Sequence, residues 1–169
     1  MKKPRIHIAL EQFPNHAAAL GCLLGHWAVL EDLIAGLMQY LFKVKPTIAS
    51  LIFDEFVSTK SKILLLRRVN HIITDDKSLK LEIESLLSEA QKLNSKRNSF
   101  IHSSWVSGEN MLFRCEKIMP PNHQKVRKEP TIVTLQDIQN VVEEIAELSA
   151  SIGDLLFRLL GEPLVRSLL

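Results

Sequence analysis

Apolar residues along most of the chain recur at the three- and four-residue spacing that is typical of α-helices. The first such segment covers about residues 16–42, with Asn15 as its predicted N-cap. Its apolar seam is wider than one stripe, so the helix must be covered on more than one side. Ala17, Gly21 and Gly25 recur every four residues in it, which lets another backbone approach closely. Two interpretations stay open: a central core helix, or a surface for a second copy of the chain.

Four further segments carry the helical spacing. They cover about residues 46–56, 60–74, 75–102 and 135–160. Ser58 or Thr59 is the predicted N-cap of the helix at 60–74, and Thr134 with Asp137 resembles a capping box at the start of the last helix. Asp75 and Asp76 place negative charge at the start of the helix at 75–102, as the helix dipole favours. Glycine and proline at 161 and 163 end the last helix.

The pattern changes between Trp105 and Thr134. Residues 105–118 predict a hairpin that turns at about 107–110, because polar and apolar residues alternate in LFRCEKI. A polar, basic loop follows at about 120–130, and TIVT is a further candidate strand. The sequence therefore predicts a mainly α protein, a four- to five-helix bundle with a small β-hairpin insert near residues 104–134. Residues 1–169 are expected to form a single domain.

The amino-acid composition excludes several kinds of function for this chain. The 169 residues include 46% hydrophobic and 24% charged residues, with a net charge of +2. That charge is too small for a bulk nucleic-acid binder, so any RNA contact must be local. Cys22 and Cys115 lack metal-ligand spacing and are expected to be small core residues in a reducing compartment. No phosphate-binding loop, dinucleotide fingerprint, nucleophile elbow or zinc-protease motif occurs, so no metal or cofactor is predicted.

The apolar segment at 17–42 is long enough to span a membrane, so the cost of inserting its charged residues must be considered. Glu31 and Asp32 fall at its centre, where a carboxylate costs about 2.5–3.5 kcal/mol on insertion scales. The N-terminus lacks the apolar stretch and cleavage site of a signal peptide. We therefore expect a core helix of a cytoplasmic protein, with no membrane partner.

Candidate chemistry lies in KRNSFIHSSW, residues 96–105, where a long helical pattern ends. Asn98 and His102 are four positions apart and share a helix face, while Arg97 lies five positions before His102. Both basic residues complement the negative end of the helix dipole, which is one explanation for their presence. The other explanation is a site that binds a phosphate and moves a proton.

RNSFIH resembles the Arg-x4–6-His motif of the HEPN superfamily, in the form with asparagine directly after arginine. Its place near the end of a long helix is similar too, as is the acidic residue within the apolar first helix. The resemblance implies a metal-independent endoribonuclease, a toxin or defence effector, whose motifs meet in a cleft at a homodimer interface. His102 would act as general acid or base, Arg97 would bind the phosphate and Asn98 would orient the histidine. It also implies RNA as substrate, no cofactor, and an inhibitory protein partner.

Several residues are candidates for supporting roles. Glu31 needs a partner for a carboxylate in an apolar seam, and either Arg97 or the pair Arg67 and Arg68 fits. Trp105 would stack on a base or close the core beneath the hairpin. Lys96, and the loop that carries Lys125 and Arg127, are candidates for RNA-backbone contact, although a charged loop is more often simply solvated. Since the superfamily includes inactive members, the alternative function is a non-catalytic helical module that dimerises or binds a protein or nucleotide.

Overall fold

The computed structural model describes residues 9–108, 111–115, 117–118, 126–127 and 129–161, with only the backbone at 117–118 and 126–127. The described part of the chain is mainly α, with five helices and a small antiparallel sheet, as the sequence predicts. The helices are α1 (Pro14–Phe42), α2 (Pro46–Glu55), α3 (Thr59–Ile73), α4 (Lys77–Ile101) and α5 (Leu135–Leu160), preceded by a 3₁₀ helix, Ala9–Gln12.

The helix boundaries follow local capping chemistry. The Ser58 side chain accepts a hydrogen bond from the Ser61 amide at 3.2 Å, which makes Ser58 rather than Thr59 the cap of α3. Asp76 Oδ1 accepts hydrogen bonds from the Ser78 and Leu79 amides in the first turn of α4, at 2.7 and 3.0 Å. The predicted cap at Asn15 is wrong, because α1 begins at Pro14. Proline is favoured in a first turn since its missing N–H has no intrahelical acceptor there.

The sheet follows the C-terminal end of α4, where residues 97–102 carry the Arg-x4-His motif and are called the motif turn below. Strands β1 (Ser104–Gly108) and β2 (Met111–Cys115) pair antiparallel, and β5 (Thr131–Ile132) adds to the other edge of β2. Two short strands, β3 (Lys117–Ile118) and β4 (Val126–Arg127), pair with each other; β3 lies at the end of the predicted hairpin segment and β4 in the region predicted as a loop. Residues 109–110 and 119–125 lie outside the described residues.

The chain divides into two compact units. The sheet unit comprises Met1–Leu24 with Lys96–Val142, and the helical unit comprises Gly25–Ser95 with Glu143–Leu169. The prediction of a single domain stays a prediction. The main buried residues of the sheet unit are Leu20, Leu23, Phe100, Leu112, Cys115, Val133 and Ile138, and those of the helical unit include Trp27, Leu30, Ile34, Met38, Ile63, Leu66, Ile83, Leu87, Ile145 and Ile152.

Helix α1 is long and apolar enough to cross a membrane, by length and composition alone. Its second half is largely buried, with Leu30, Leu33, Leu37 and Met38 at most 3% exposed. A buried core helix passes the same test of length and hydropathy. The two cysteines are free, and they differ in burial. Cys115 is buried as expected, whereas Cys22 is exposed, so its assignment to the core is wrong.

Candidate functional site

Arg97 and Asn98 lie near the C-terminal end of α4, and His102 directly follows its last residue, all in the sheet unit. Arg97 Nη1 donates a hydrogen bond to Asn98 Oδ1 at 2.9 Å. The His102 amide donates to the Asn98 carbonyl at 3.0 Å, which continues the α-helical pattern one residue past the end of α4. Asn98 therefore contacts the guanidinium through its side chain and the histidine through its backbone.

Burial differs among these residues in a way that suits a site at the surface. Arg97 and Asn98 are half-buried, and the guanidinium Nε of Arg97 is fully enclosed. His102 is exposed. A held guanidinium presents hydrogen-bond donors in a fixed direction, while an exposed imidazole is accessible to a substrate. The guanidinium is able to bind an anion, and the imidazole is able to accept or donate a proton.

The β-hairpin packs against this turn through an aromatic contact. Trp105 on β1 is half-buried and stacks on Phe100 of α4, with ring centroids 6.5 Å apart and planes 14° apart. Phe100 is 7% exposed. The tryptophan lies three residues after His102, so the ring stack fixes the chain directly beyond the motif.

Arg114 on β2 makes the second contact between the hairpin and the motif turn, and sequence analysis missed it. Its Nη1 donates to Ser99 Oγ at 2.6 Å, and its guanidinium carbon lies 4.9 Å from the centre of the Phe100 ring. In the strand register Arg114 is directly opposite Trp105. The one sequence signal for it is the alternation in LFRCEKI, which gives Arg114 a definite sheet face but no partner.

The remaining predicted contacts lie in different places. Lys96 is exposed on α4, and its carbonyl accepts from Ser99 Oγ at 2.6 Å. Arg127 lies on β4, where only its backbone is described, and Lys125 lies outside the described residues.

Glu31 belongs to the helical unit and is half-buried on α1. Its carboxylate accepts a hydrogen bond from Thr59 Oγ1 at 2.7 Å. Arg67 donates to Glu84 at 2.7 Å and to Gln91 at 3.2 Å. The observed donor to Glu31 is thus a hydroxyl that the sequence had not suggested. Partial desolvation raises the pKa of the adjacent Asp32 carboxyl, and the charges of Glu31 and Asp54 raise it further.

No group of three or more histidine, cysteine, aspartate or glutamate side chains able to hold a metal ion occurs in the described part of the chain. Comparison with models of protein families, with curated proteins and with solved structures found no match to this chain. The motif residues and their contacts are therefore the features of this chain that point to a function.

Proposed function

We propose that this chain is a metal-independent endoribonuclease of the HEPN type. The observation that carries the proposal is the end of α4, where Asn98 Oδ1 accepts a hydrogen bond from the Arg97 guanidinium at 2.9 Å and the exposed His102 directly follows the last helical residue. The residue types at these three positions are those of the motif that the sequence resembles.

The chemistry needs no metal because RNA supplies its own nucleophile, the 2′-hydroxyl. His102 acts as general base, or as general acid toward the departing oxygen, because one imidazole nitrogen is able to accept a proton and the other to donate one. The 2′-oxygen attacks the adjacent phosphorus, the bond to the 5′-oxygen breaks, and that oxygen takes up a proton. Arg97 binds the phosphate and stabilises the charge of the transition state. The products end in a 2′,3′-cyclic phosphate and a 5′-hydroxyl.

A homodimer would bring two motif turns into one cleft and double the local positive charge. A local concentration of charge is required because the net charge of the whole chain is only +2. The family resemblance supports this assembly, as well as a cytoplasmic toxin or defence role with an inhibitory protein partner.

The second candidate is a non-catalytic dimerisation module, and one observation favours it. Ala17, Gly21 and Leu24 are exposed on α1, and Leu24 has 43% of its surface accessible. A Cβ added at Gly21 would meet no atom within 4 Å. This surface of small and apolar residues leaves space for another helix, whether or not the motif cleaves RNA.

Cleavage of a single-stranded RNA in the presence of EDTA tests the enzyme proposal. We expect the unmodified chain to produce 2′,3′-cyclic phosphate ends and His102→Ala to lose activity by about 10²–10⁴-fold, the usual contribution of a general acid or base. His71→Ala is the matched control, since His71 is likewise exposed near a helix C-terminus.

Circular dichroism must give equal helicity for the two variants. If His102→Ala cleaves as well as the unmodified chain, or both variants lose activity equally, the site assignment is wrong. An unmodified chain that dimerises but leaves every RNA intact would instead support the non-catalytic module.

A further inference from the structure

The middle of the motif turn is contacted by one side chain of the hairpin, that of Arg114 on β2. Its Nη1 donates a hydrogen bond to Ser99 Oγ at 2.6 Å, and its guanidinium carbon lies 4.9 Å from the centre of the Phe100 ring. Both contacted residues lie between Arg97 and His102 in the sequence. Arg114 therefore contacts the segment that sets the spacing of the two proposed catalytic residues.

The end of α4 depends on a small number of hydrogen bonds. Residues 101–105, all of which the structure describes, lack the left-handed conformation that closes many helices. The Asn98 carbonyl accepts from the His102 amide at 3.0 Å, and the Ser99 carbonyl accepts from Ser103 Oγ at 2.5 Å. A helix end held in this way frays readily, because local opening breaks only these bonds. Contacts from another element are needed to keep it closed.

Fraying of the motif turn would change the distance between the proposed catalytic residues. Two residues five positions apart are separated by about 7.5 Å along a helix axis. The same five positions span up to about 17 Å in an extended chain. A displacement of about 1 Å in a catalytic group is able to cost roughly 10²-fold in rate. The site therefore requires that the turn stays helical while the substrate reacts.

We propose that Arg114 is a positioning residue of the ribonuclease site. Through its bond to Ser99 and its contact with the Phe100 ring, it keeps the motif turn helical. Arg97 and His102 thereby hold their spacing. The inference rests on the proposed function, and it gives Arg114 no contact with RNA. A guanidinium suits this role because one group provides both a charge-assisted hydrogen bond and a flat surface for an aromatic ring.

Cleavage kinetics test the role in catalysis, with single-stranded RNA in EDTA at a temperature where circular dichroism shows every variant folded. Arg114→Met keeps the length and the apolar stem but removes the donor and the charge. We expect it to lower kcat by about 10–100-fold and to leave KM within about twofold, because positioning acts on the reacting complex rather than on RNA binding. Arg114→Lys retains a charged donor and should recover part of the loss.

Arg68→Met is the control, since it removes the same charge from an exposed position on α3. Its kinetics should equal those of the unmodified chain. A raised KM with unchanged kcat in Arg114→Met would identify a contact with RNA and overturn the positioning role. Full activity of Arg114→Met would overturn it as well.

Amide exchange with solvent, measured by NMR on the ¹⁵N-labelled full-length chain, tests the same contact without using activity. The His102 amide reports opening of the motif turn through its bond to the Asn98 carbonyl. Its reference is the Thr74 amide, which likewise lies one residue past a helix and donates to the Asn70 carbonyl at 3.2 Å. We expect Arg114→Met to accelerate exchange at His102 by at least about tenfold and to leave Thr74 unchanged.

The two measurements separate this inference from the proposed function. Unchanged exchange at His102, or equal acceleration at His102 and Thr74, would show that Arg114 does not hold the motif turn in particular. If the unmodified chain cleaves no RNA while Arg114→Met accelerates exchange at His102 alone, the ribonuclease proposal fails and the hold of Arg114 on the motif turn is supported.

Discussion

At the residue scale, Lys43 ends the longest helix in a conformation that suits glycine. Its φ is 52°, in the left-handed region. The Lys43 amide donates to the Tyr40 carbonyl and the Val44 amide to the Gln39 carbonyl, both at 3.3 Å. These two bonds form a Schellman motif, which requires a left-handed residue directly after the helix. A lysine there carries strain from its Cβ that glycine avoids.

Lys43→Gly is therefore expected to stabilise the chain by about 0.5–1 kcal/mol, measured as the free energy of unfolding in urea. The gain is smaller than the full strain because glycine also increases the entropy of the unfolded state. Lys43→Ala is the control: it removes the same charge but retains the Cβ, so it should give no gain. A destabilised Lys43→Gly variant would contradict the explanation.

At the element scale, the predicted capping box of Thr134 and Asp137 is confirmed at the start of α5. Asp137 Oδ2 accepts from the amide and the hydroxyl of Thr134, both at 2.7 Å, and Thr134 Oγ1 accepts from the Asp137 amide at 3.2 Å. The hydroxyl and amide of Thr134 lower the pKa of the Asp137 carboxyl, and the charge of Arg114 lowers it further.

Because folding lowers the pKa of Asp137, its carboxylate stabilises the fold above the pKa of the unfolded chain. That stabilisation disappears as the pH falls through the lower folded-state value. The difference in unfolding free energy between the unmodified chain and Asp137→Asn should therefore be constant near neutral pH and shrink below about pH 4. Chemical denaturation between pH 2 and 7 checks this, with Asp154→Asn, an exposed residue late in the same helix, as the control. A difference that does not change with pH would exclude the carboxylate as its source.

The hairpin and α4 are joined within the sheet unit by Arg114. Arg114→Ala removes a charged hydrogen bond to Ser99 and a cation–π contact with Phe100, so we expect a loss of about 2–4 kcal/mol in unfolding free energy. Ser99→Ala removes the acceptor for Arg114 and the hydrogen bond to the Lys96 carbonyl but keeps the cation–π contact, so it should lose less. Denaturant unfolding measures both losses. Arg114→Ala with unchanged stability would show that the contact does not hold the hairpin in place.

At the scale of the whole molecule, self-association decides whether the motif turns can meet. The exposed small residues of α1 are a candidate contact surface, and Gly21 has no atom within 4 Å of an added Cβ. A side chain placed there is accommodated in the single chain and obstructs only an approaching partner.

Gly21→Glu should therefore keep the folded monomer and weaken the proposed dimer, with apparent mass measured by light scattering after gel filtration. Helix propensity favours glutamate over glycine in a helix interior by roughly 0.5–1 kcal/mol, so folding stability is not expected to fall. Leu81→Glu is the control, because Leu81 is 69% exposed on α4. If the dimer withstands Gly21→Glu, another surface forms it.

The sequence by itself determined the features that depend on neighbours within one or two helical turns. Apolar spacing located five helices, and the caps at Ser58 and Thr134 follow from single side chains that bond amides three residues onward. The motif residues Arg97, Asn98 and His102 were likewise placed correctly at the end of α4, because their spacing refers only to that helix.

Only the tertiary structure decided which faces are covered. Leu24 and Cys22 fit the apolar pattern of α1 yet are exposed, because burial depends on which elements pack against a helix. The contact between Ser99 and Arg114 joins residues 15 apart. Such contacts depend on the register and packing of distant segments, which local periodicity does not encode.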